Sequence, residues 1–560
     1  MSVDTHYAAI EALFAESSVH VNRFEPTLEN WVGITVPGAR RDWKLIAYSG
    51  DVQLTRLPPV YVIDADKHLA HVGYHGAVCV SDHIGLSMDM ARAEDIVAHT
   101  ILAAYRLLEK WDADDVGNAV EFHNEYEGYW LGLPSVEVAR AAIAVDEKSR
   151  FVTFFWRGKP GDTCYVTEVD AKAPSGFRVD GLSAQRALYL HIPAYLNPPL
   201  KPQQLDVEYI NEIPSLLDES QRALWQKLIR PSSNKNHPKQ AVLLLSTPRK
   251  AGGTSFVAIA FGTRDGKVDT KAQVKPLIVC RHTEDYMRER GGASLALKNK
   301  HVAVIGCGAV GAVVADALAA SGVGTLTLVD HDEYSEDNVF RHLLEPFWIG
   351  SSKVGGLRYE LERHYPGLKV SALRQMLQTW WKSADFQKLD GIVVAIGAPA
   401  LERCFSSVLR QKEVKTPVLF TWLEPLDIGG HSIAVLPTKD GCLDCIYRDA
   451  EGTPSLSPRT AFLVPDQPVS RNLTGCASTF VPYGAIQSRK TALMAAEHFL
   501  AALTQPDSLP SYRYWAGEGV VAKDHGLLMT PWWERASTRS FSEATNEVFG
   551  RTCKKCRCAA

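Results

Sequence analysis

Apolar residues recur every three or four positions through AEDIVAHTILAAYRLLEKW, residues 93–111, which predicts a helix with one face against a core. Elsewhere the apolar positions gather in short strand-like runs. WKLIAYSG, VQLTRL and LPPVYVID follow a predicted N-terminal helix, and RFVTFFW, AVLLLST and SFVAIAF lie in the middle of the chain. Pro-rich connectors such as IPAYLNPPLKPQQ separate the middle runs. From about residue 291 buried strands and helices alternate, the signature of a parallel sheet covered on both faces. The expected architecture is α/β and multidomain. It has an α+β region over 1–135, an α+β region over 136–290 and a doubly wound, Rossmann-like region over 291–560. No internal repeat is visible.

The length of 560 residues is too great for one core and suggests roughly three or four domains. At 46% hydrophobic and 22% charged, the composition is that of a globular chain. A formal charge of -4 argues against nucleic acid or an anionic membrane as the main partner. The N-terminus, MSVDTHYAAIEALFAESS, has neither a basic start nor an apolar core, so no secretion signal is expected. The most apolar uncharged stretch, Val302 to Ala315, is too short to span a bilayer. A cytoplasmic location is expected. Eleven cysteines in a reducing compartment then read as ligands, nucleophiles or core residues rather than disulfides.

HVAVIG, residues 301–306, is a buried strand running into Gly306, Gly308 and Gly311, the GxGxxG spacing, with GAVVADALAASG as the following helix. Glycines there permit a tight turn and let backbone amides approach a nucleotide. TLTLVD is the second strand, and Asp330 at its end suits a ribose hydroxyl. NAD would be the default ligand. Asp332, Asn338, Arg341 and Lys353 change the reading, because two cations and an amide close behind the ribose acid suit a triphosphate being split.

These residues resemble the adenylating domain of ubiquitin-activating enzymes and of their bacterial relatives that activate sulfur carriers. The resemblance implies that Asp330 binds ribose and that Asn338, Arg341 and Lys353 contact phosphates. It implies ATP, Mg²⁺ and adenylation of a C-terminal glycine carboxylate with release of pyrophosphate. One departure stands out: in DGIVVAIGAPALER, Gly397 occupies the position of an acid common in that family. Magnesium is then expected on substrate phosphates and water, or with help from Asp332.

Cys442-Leu-Asp-Cys445 and Cys553-Lys-Lys-Cys556 are two CxxC pairs, and together they predict a closed Cys₄ zinc site of structural type, with Cys558 a spare thiol. Cys476 stands in a polar loop before the predicted helix AIQSRKTALMAAEHFL, a place where a thiolate is activated by the helix N-terminus. In the resembled family the attacking cysteine lies on such a loop. Cys307, Cys280 and Cys404 are read as packing.

Leu57-Pro58-Pro59-Val60, His71, Gly76-Ala77-Val78-Cys79 and the long helix after them resemble the ubiquitin-conjugating core. That implies Cys79 as the thioester-carrying cysteine. The His-Pro-Asn tripeptide of eukaryotic members is missing, since Val72 and Gly73 follow His71, so the oxyanion partner falls to His71, Tyr74 or His75. The whole order resembles the fused activating–conjugating enzymes of bacterial antiphage operons that accompany cyclic-nucleotide signalling. Arg341-His342, Trp422-Leu-Glu-Pro and Gly429-Gly430-His431 fit that group, and the middle region would be its linker. The resemblance implies a homodimer that joins a carrier's C-terminus to a lysine, with Cys476 charged before Cys79. The carrier would be a ubiquitin-like protein or a signalling nucleotidyltransferase. Three other readings stand beside it: a sulfur-carrier activator without conjugation, an NAD oxidoreductase, and an inactive carrier-binding adaptor.

Overall fold

The computed structural model describes residues 3–50, 56–65, 67–134, 137–156, 163–174, 176–194, 196–230, 239–448, 453–473, 479–550, 553 and 555–556. The chain divides into two compact units, Met1–Thr283 and Glu284–Ala560.

The first unit opens with α1 (Val3–Glu16) and an antiparallel meander of β1 (Asn22–Phe24), β2 (Trp31–Pro37), β3 (Asp42–Tyr48) and β4 (Val60–Val62). Period-two alternation on β2 and β3 buries Val32, Ile34 and Val36 together with Trp43, Leu45 and Ala47. The expected helix is α2 (Ala93–Ala113), whose Val97, Ile101 and Leu108 join Ile10 and Phe14 of α1 in the same core. The WKLIAYSG run is β3, whereas most of VQLTRL, residues 52–55, lies outside the described residues. Two short helices, α3 (Asp115–Asn124) and α4 (Tyr126–Leu131), follow.

The middle strands are β5 (Val138–Ala142), β6 (Arg150–Trp156), β7 (Thr163–Thr167), β8 (Ser183–His191), β9 (Lys239–Pro248), β10 (Thr254–Arg264), β11 (Lys267–Val268) and β12 (Lys275–Arg281). Their order is β11-β10-β12-β5-β7-β6-β8-β9, and β9 also pairs with β10 from Thr254 to Thr263. The sheet therefore closes on itself as a barrel, with each strand of the ring paired on both sides among the described residues. One face of the alternation (Phe154, Cys164, Ala187, Leu244, Ala258) forms one core. The other (Leu188, Leu243, Ile259) packs with Trp130 of α4 and with Trp225 and Leu228 of the helix Glu219–Ile229.

The second unit is built on β13 (His301–Ile305), α5 (Gly311–Ala320), β14 (Thr325–Val329), α6 (Lys353–His364), β15 (Lys369–Leu373), β16 (Gly391–Val394), α7 (Pro399–Gln411), β17 (Val418–Leu423), β18 (Gly429–Val435), the small pair β19 (Arg471–Asn472) and β20 (Thr479–Phe480), α8 (Ala485–Thr504) and β21 (Ser511–Ala516). The main sheet runs β15-β14-β13-β16-β17-β18-β21. The first five strands are parallel and the last two antiparallel. Strand order reverses between β13 and β16, the switch point where doubly wound sheets bind ligands. Both faces are covered: Val302 and Val304 of β13 meet α5 and α8, while Ala303 and Ile305 join a second core with Phe405 of α7.

Two cysteine expectations are corrected. Cys280 on β12 and Cys404 on α7 are exposed rather than packed. Around Cys404, Glu402, Phe405, Ser406 and Leu409 take the buried face of α7, which turns Cys404 outward. Cys307 is fully buried, as expected.

His498 of α8 is buried between β18 and β21, with Nδ1 2.8 Å from Ser432 Oγ and Nε2 2.7 Å from Ser511 Oγ. Burial, reinforced by the Arg513 charge, pushes its pKa down to about 3. The unfolded chain takes up this proton near pH 6.5 and the folded chain does not, so stability falls as pH drops from about 6.5 toward the folded value. Between pH 7.5 and 5, wild type is expected to lose about 2 kcal/mol more unfolding free energy than His498→Gln. Denaturant unfolding of both proteins at the two pH values checks this, and parallel pH dependence would refute it.

Candidate nucleotide site and reactive cysteines

The turn after β13 is shaped by what its glycines exclude. Gly306 has φ +81°, and a Cβ there would stand 2.7 Å from the Ala395 carbonyl oxygen beyond β16. A Cβ on Gly311 would stand 1.8 Å from the Gly306 carbonyl oxygen, so α5 can start where it does only with glycine. Gly308 faces open space. Asp330, nearly buried at the end of β14, accepts hydrogen bonds from the Cys307 N–H at 2.7 Å and the Asp332 N–H at 2.8 Å. Each carboxylate oxygen keeps a lone pair for a further donor.

Buried His342 ties the turn from the other side. Its Nδ1 accepts from the Leu344 N–H at 3.1 Å, which leaves Nε2 to donate to the Cys307 carbonyl at 2.7 Å. Burial lowers its pKa, in keeping with that neutral form. The sequence placed His342 in the loop but held no sign of this bridge.

Asp330, Asp332 and Lys353 border one cavity of about 330 Å³ with Gly306, Gly308 and Ile396, at the switch point. Lys353 begins α6, is nearly buried, and its Nζ lies 2.8 Å from Asp332 Oδ2. Burial would raise Asp332, but the hydrogen bond and charge of Lys353 outweigh it and hold the carboxyl below its usual range. Asn338 and Arg341 are not on the cavity wall. The Asn338 side chain accepts from the Ser335 N–H at 3.2 Å, and the Arg341 guanidinium lies 4.8 Å above the Tyr483 ring. Gly397 carries no side chain, and Glu402 of α7, buried and off the cavity wall, accepts from the Gly397 N–H at 2.9 Å. Burial pushes Glu402 up to about 7 against the backbone N–H groups of Gly397, Ala398 and Ile396. The sequence signal was a glutamate in the first turn of a helix that begins at Pro399.

The two CxxC pairs meet. The Cys442, Cys445, Cys553 and Cys556 sulfurs are all buried and lie within 4.8 Å of one another. Separations are 4.0 Å for 442–445, 3.9 Å for 442–553 and 3.6 Å for 445–556. A tetrahedral ion with sulfur at about 2.3 Å requires sulfurs about 3.8 Å apart, so the donor set fits zinc. Asp444 between the first pair is buried and bonded to Arg403 at 2.8 Å and to Lys555 beside the second pair.

Cys79 is exposed. Its N–H donates to the His71 carbonyl at 2.8 Å, while the Val78 N–H donates to Val60 of β4 at 2.9 Å. Gly76 has φ +80°, and a Cβ there would meet the Val62 carbonyl oxygen at 2.0 Å. Pro58, Pro59, His71, Cys79, Glu125 and Tyr129 border a cavity of about 720 Å³. Tyr74 and His75 border a separate one of about 650 Å³, so of the three candidate oxyanion partners His71 shares the cavity of Cys79. Cys476 and Cys558 lie outside the described residues; β19 and β20 flank the segment that carries Cys476.

Against this geometry stand the comparisons with known proteins. Residues 283–515 match the model of the ThiF family. The second unit carries a ThiF-family domain. The chain is 29% identical over 233 residues to the ATP-dependent ubiquitin transferase-like protein Cap2 of Pseudomonas aeruginosa, covering 40% of each chain. It is 38% identical over 159 residues to the ubiquitin-like modifier-activating enzyme 5 of Aedes aegypti, covering 27% of this chain and 40% of that one. Among solved structures, Escherichia coli MccB with MccA-N7isoASN is similar at a TM-score of 0.32 and 19% identity, covering 42% of this chain and 65% of that one. The chain thus spans less than half the length of these two curated relatives. Among the described residues, no helix of the ThiF domain or of the first unit is long and apolar enough to cross a membrane.

The ThiF domain's glycines are not equivalent. Gly311→Ala is expected to cost about 1–3 kcal/mol of stability by forcing a methyl onto the Gly306 carbonyl. Gly308→Ala, with open space around it, is expected to leave stability unchanged. Denaturant unfolding of the two variants checks the contrast, and equal stabilities would overturn it.

Proposed function

We propose that this chain uses ATP to adenylate the C-terminal glycine carboxylate of a protein carrier, captures the acyl group as a thioester and transfers it to a target lysine. The observation that carries this reading is the placement of the glycine turn, Asp330 and Lys353 on one cavity of a ThiF-family domain. A carboxylate oxygen attacks the α-phosphorus and pyrophosphate leaves. Gly306, Gly308 and Gly311 admit the nucleotide and Asp330 accepts from its ribose. Lys353 and Arg341 neutralise phosphate charge, with Asn338 fixing the segment that presents Arg341. Lys353 would exchange Asp332 for phosphate, and Asp332 would then be the carboxylate available to hold a magnesium ion, which would neutralise phosphate charge.

Cys476 takes the acyl group with loss of AMP, and Cys79 takes it from Cys476 by thioester exchange. The first region (1–135) is read as the conjugating-like domain, 136–290 as the linker domain and 291–560 as the adenylating domain, in a cytoplasmic homodimer. The resemblance to enzymes of antiphage operons that accompany cyclic-nucleotide signalling favours a signalling nucleotidyltransferase over a ubiquitin-like protein as the carrier. Zinc on Cys442, Cys445, Cys553 and Cys556 would be structural, since four protein ligands leave no position for a substrate.

Two measurements check this reading. Lys353→Ala and Arg341→Ala are each expected to lower carrier-dependent ATP–pyrophosphate exchange at least about a hundredfold while the fold survives. With ATP and carriers encoded beside this chain, Cys79→Ala should hold a thiol-sensitive adduct at Cys476 and form no isopeptide. Cys476→Ala should adenylate but load neither cysteine. Normal exchange in both cation variants, or normal loading of Cys79 without Cys476, would refute the corresponding step. Elemental analysis should separately find about one zinc per chain in protein purified without chelator, and its loss should unfold the region around Cys553. Metal-free protein with that region intact would refute the zinc assignment.

A further inference from the structure

The Trp422-Leu-Glu-Pro and Gly429-Gly430-His431 stretches have no part in the steps above. They flank the turn between β17 and β18. His431 is fully buried there, with Nε2 3.1 Å from Glu424 Oε1 and Nδ1 2.7 Å from the Tyr512 hydroxyl of β21. Glu424 Oε1 also accepts from the Phe462 N–H at 3.1 Å, and the Trp422 ring stacks on the imidazole with 5.0 Å between centroids. Inside this frame Leu426 has φ +54° and Asp427 has φ +60°. Two successive left-handed residues with side chains cost free energy, and they persist only where the surroundings over-determine them.

What the strained turn holds is Tyr483. The Leu426 N–H donates to the Pro482 carbonyl at 2.8 Å, and Asp427 Oδ1 accepts from the Gly484 N–H at 2.7 Å. The backbone is thus pinned on both sides of Tyr483, and Gly484 leads directly into α8. The ring of this fixed residue lies 4.8 Å below the Arg341 guanidinium. Arg341 in turn precedes His342, whose side chain touches the glycine turn. The cation therefore starts beside the nucleotide cavity, yet it lies off the cavity wall on a ring that cannot follow it inward.

We infer that Tyr483 is a holding site for Arg341, competing with the β- and γ-phosphates for the guanidinium and taking it back from pyrophosphate after adenylation. This rests on the phosphate role proposed for Arg341. A cation on an aromatic face is bound more weakly than one forked onto phosphate oxygens, so the triphosphate can displace the ring. ATP binding then includes the cost of breaking the stack. AMP, with neither the β- nor the γ-phosphate, leaves the stack intact. Once pyrophosphate has formed, the waiting ring offsets part of the contact that Arg341 gives up, which loosens the hold on the departing product. Tyr483 touches no reacting atom and acts through Arg341 as a positioning residue.

The test is calorimetric titration of the full-length protein with three probes: an ATP analogue carrying a methylene between its α- and β-phosphorus atoms, magnesium pyrophosphate, and AMP. Tyr483→Leu and Tyr483→Met, two replacements without a ring, are each expected to bind the analogue and pyrophosphate about two- to fivefold more tightly, with AMP affinity unchanged. Tyr483→Phe keeps the ring face and should bind all three as wild type does. Added to Arg341→Ala, Tyr483→Leu should have no effect. Damage to the fold would loosen binding, so a gain in affinity is a readout that a merely structural residue does not give. Unchanged or weaker binding of the analogue and pyrophosphate in both ring-less variants, an equal gain for AMP, or the same gain in the absence of Arg341 would overturn the holding site. Wild-type affinity for the analogue in Arg341→Ala alone would remove the phosphate role of Arg341 and the holding site with it.

Discussion

The nucleotide end of the second unit depends on a single carboxylate. Asp330 is almost removed from water, a position that is costly for a charge unless hydrogen bonds replace the lost hydration. Two backbone N–H groups do so, one from the glycine turn after β13 and one from its own loop after β14. The carboxylate thereby sets the distance between the two strand ends. His342 grips the same turn through the opposite face of the Cys307 peptide, donating to its carbonyl. Shape and chemistry cannot be separated here, because the group expected to meet a ribose is also the group that holds the turn.

Features encoded within one short stretch were legible in the sequence. The strand, turn and helix from His301 to Ala320 need only local periodicity and three glycines, and the structure has them at those positions. The CxxC pairs were legible by spacing, since each hairpin presents two sulfurs whatever surrounds it. Closure of the barrel was not, because the pairing of β5 with β12 and of β8 with β9 depends on register between distant segments. The surface position of Cys404 was missed because Val408 and Leu409 close by suggest an apolar setting, whereas the helix phase decides which side chains are buried.

The candidate site divides the same way. Asp330, Asp332 and Lys353 follow one another in sequence and share a cavity. Glu402 was not singled out, because its bond to the Gly397 N–H ties the loop after β16 to α7 behind the cavity wall and depends on how the helix packs. Arg341 was read as a phosphate ligand by its spacing, and its stacking on Tyr483 comes from a segment far along the chain. His71 was noticed as a neighbour of Cys79, but its two carboxylate partners, Glu121 and Glu125, come from beyond α2, after a long intervening helix.

The four-sulfur cluster joins Cys442 and Cys445 to partners 111 residues later. On a ribosome adding about 5–20 residues per second, the second pair emerges roughly 6–22 s after the first. Throughout that interval Cys442 and Cys445 form half a site, two thiols open to stray metals and oxidants, although the strands of the nucleotide pocket have already been made. Completion of the cluster reports that synthesis has passed residue 556, so a product cut short inside this window carries a pocket without its clasp.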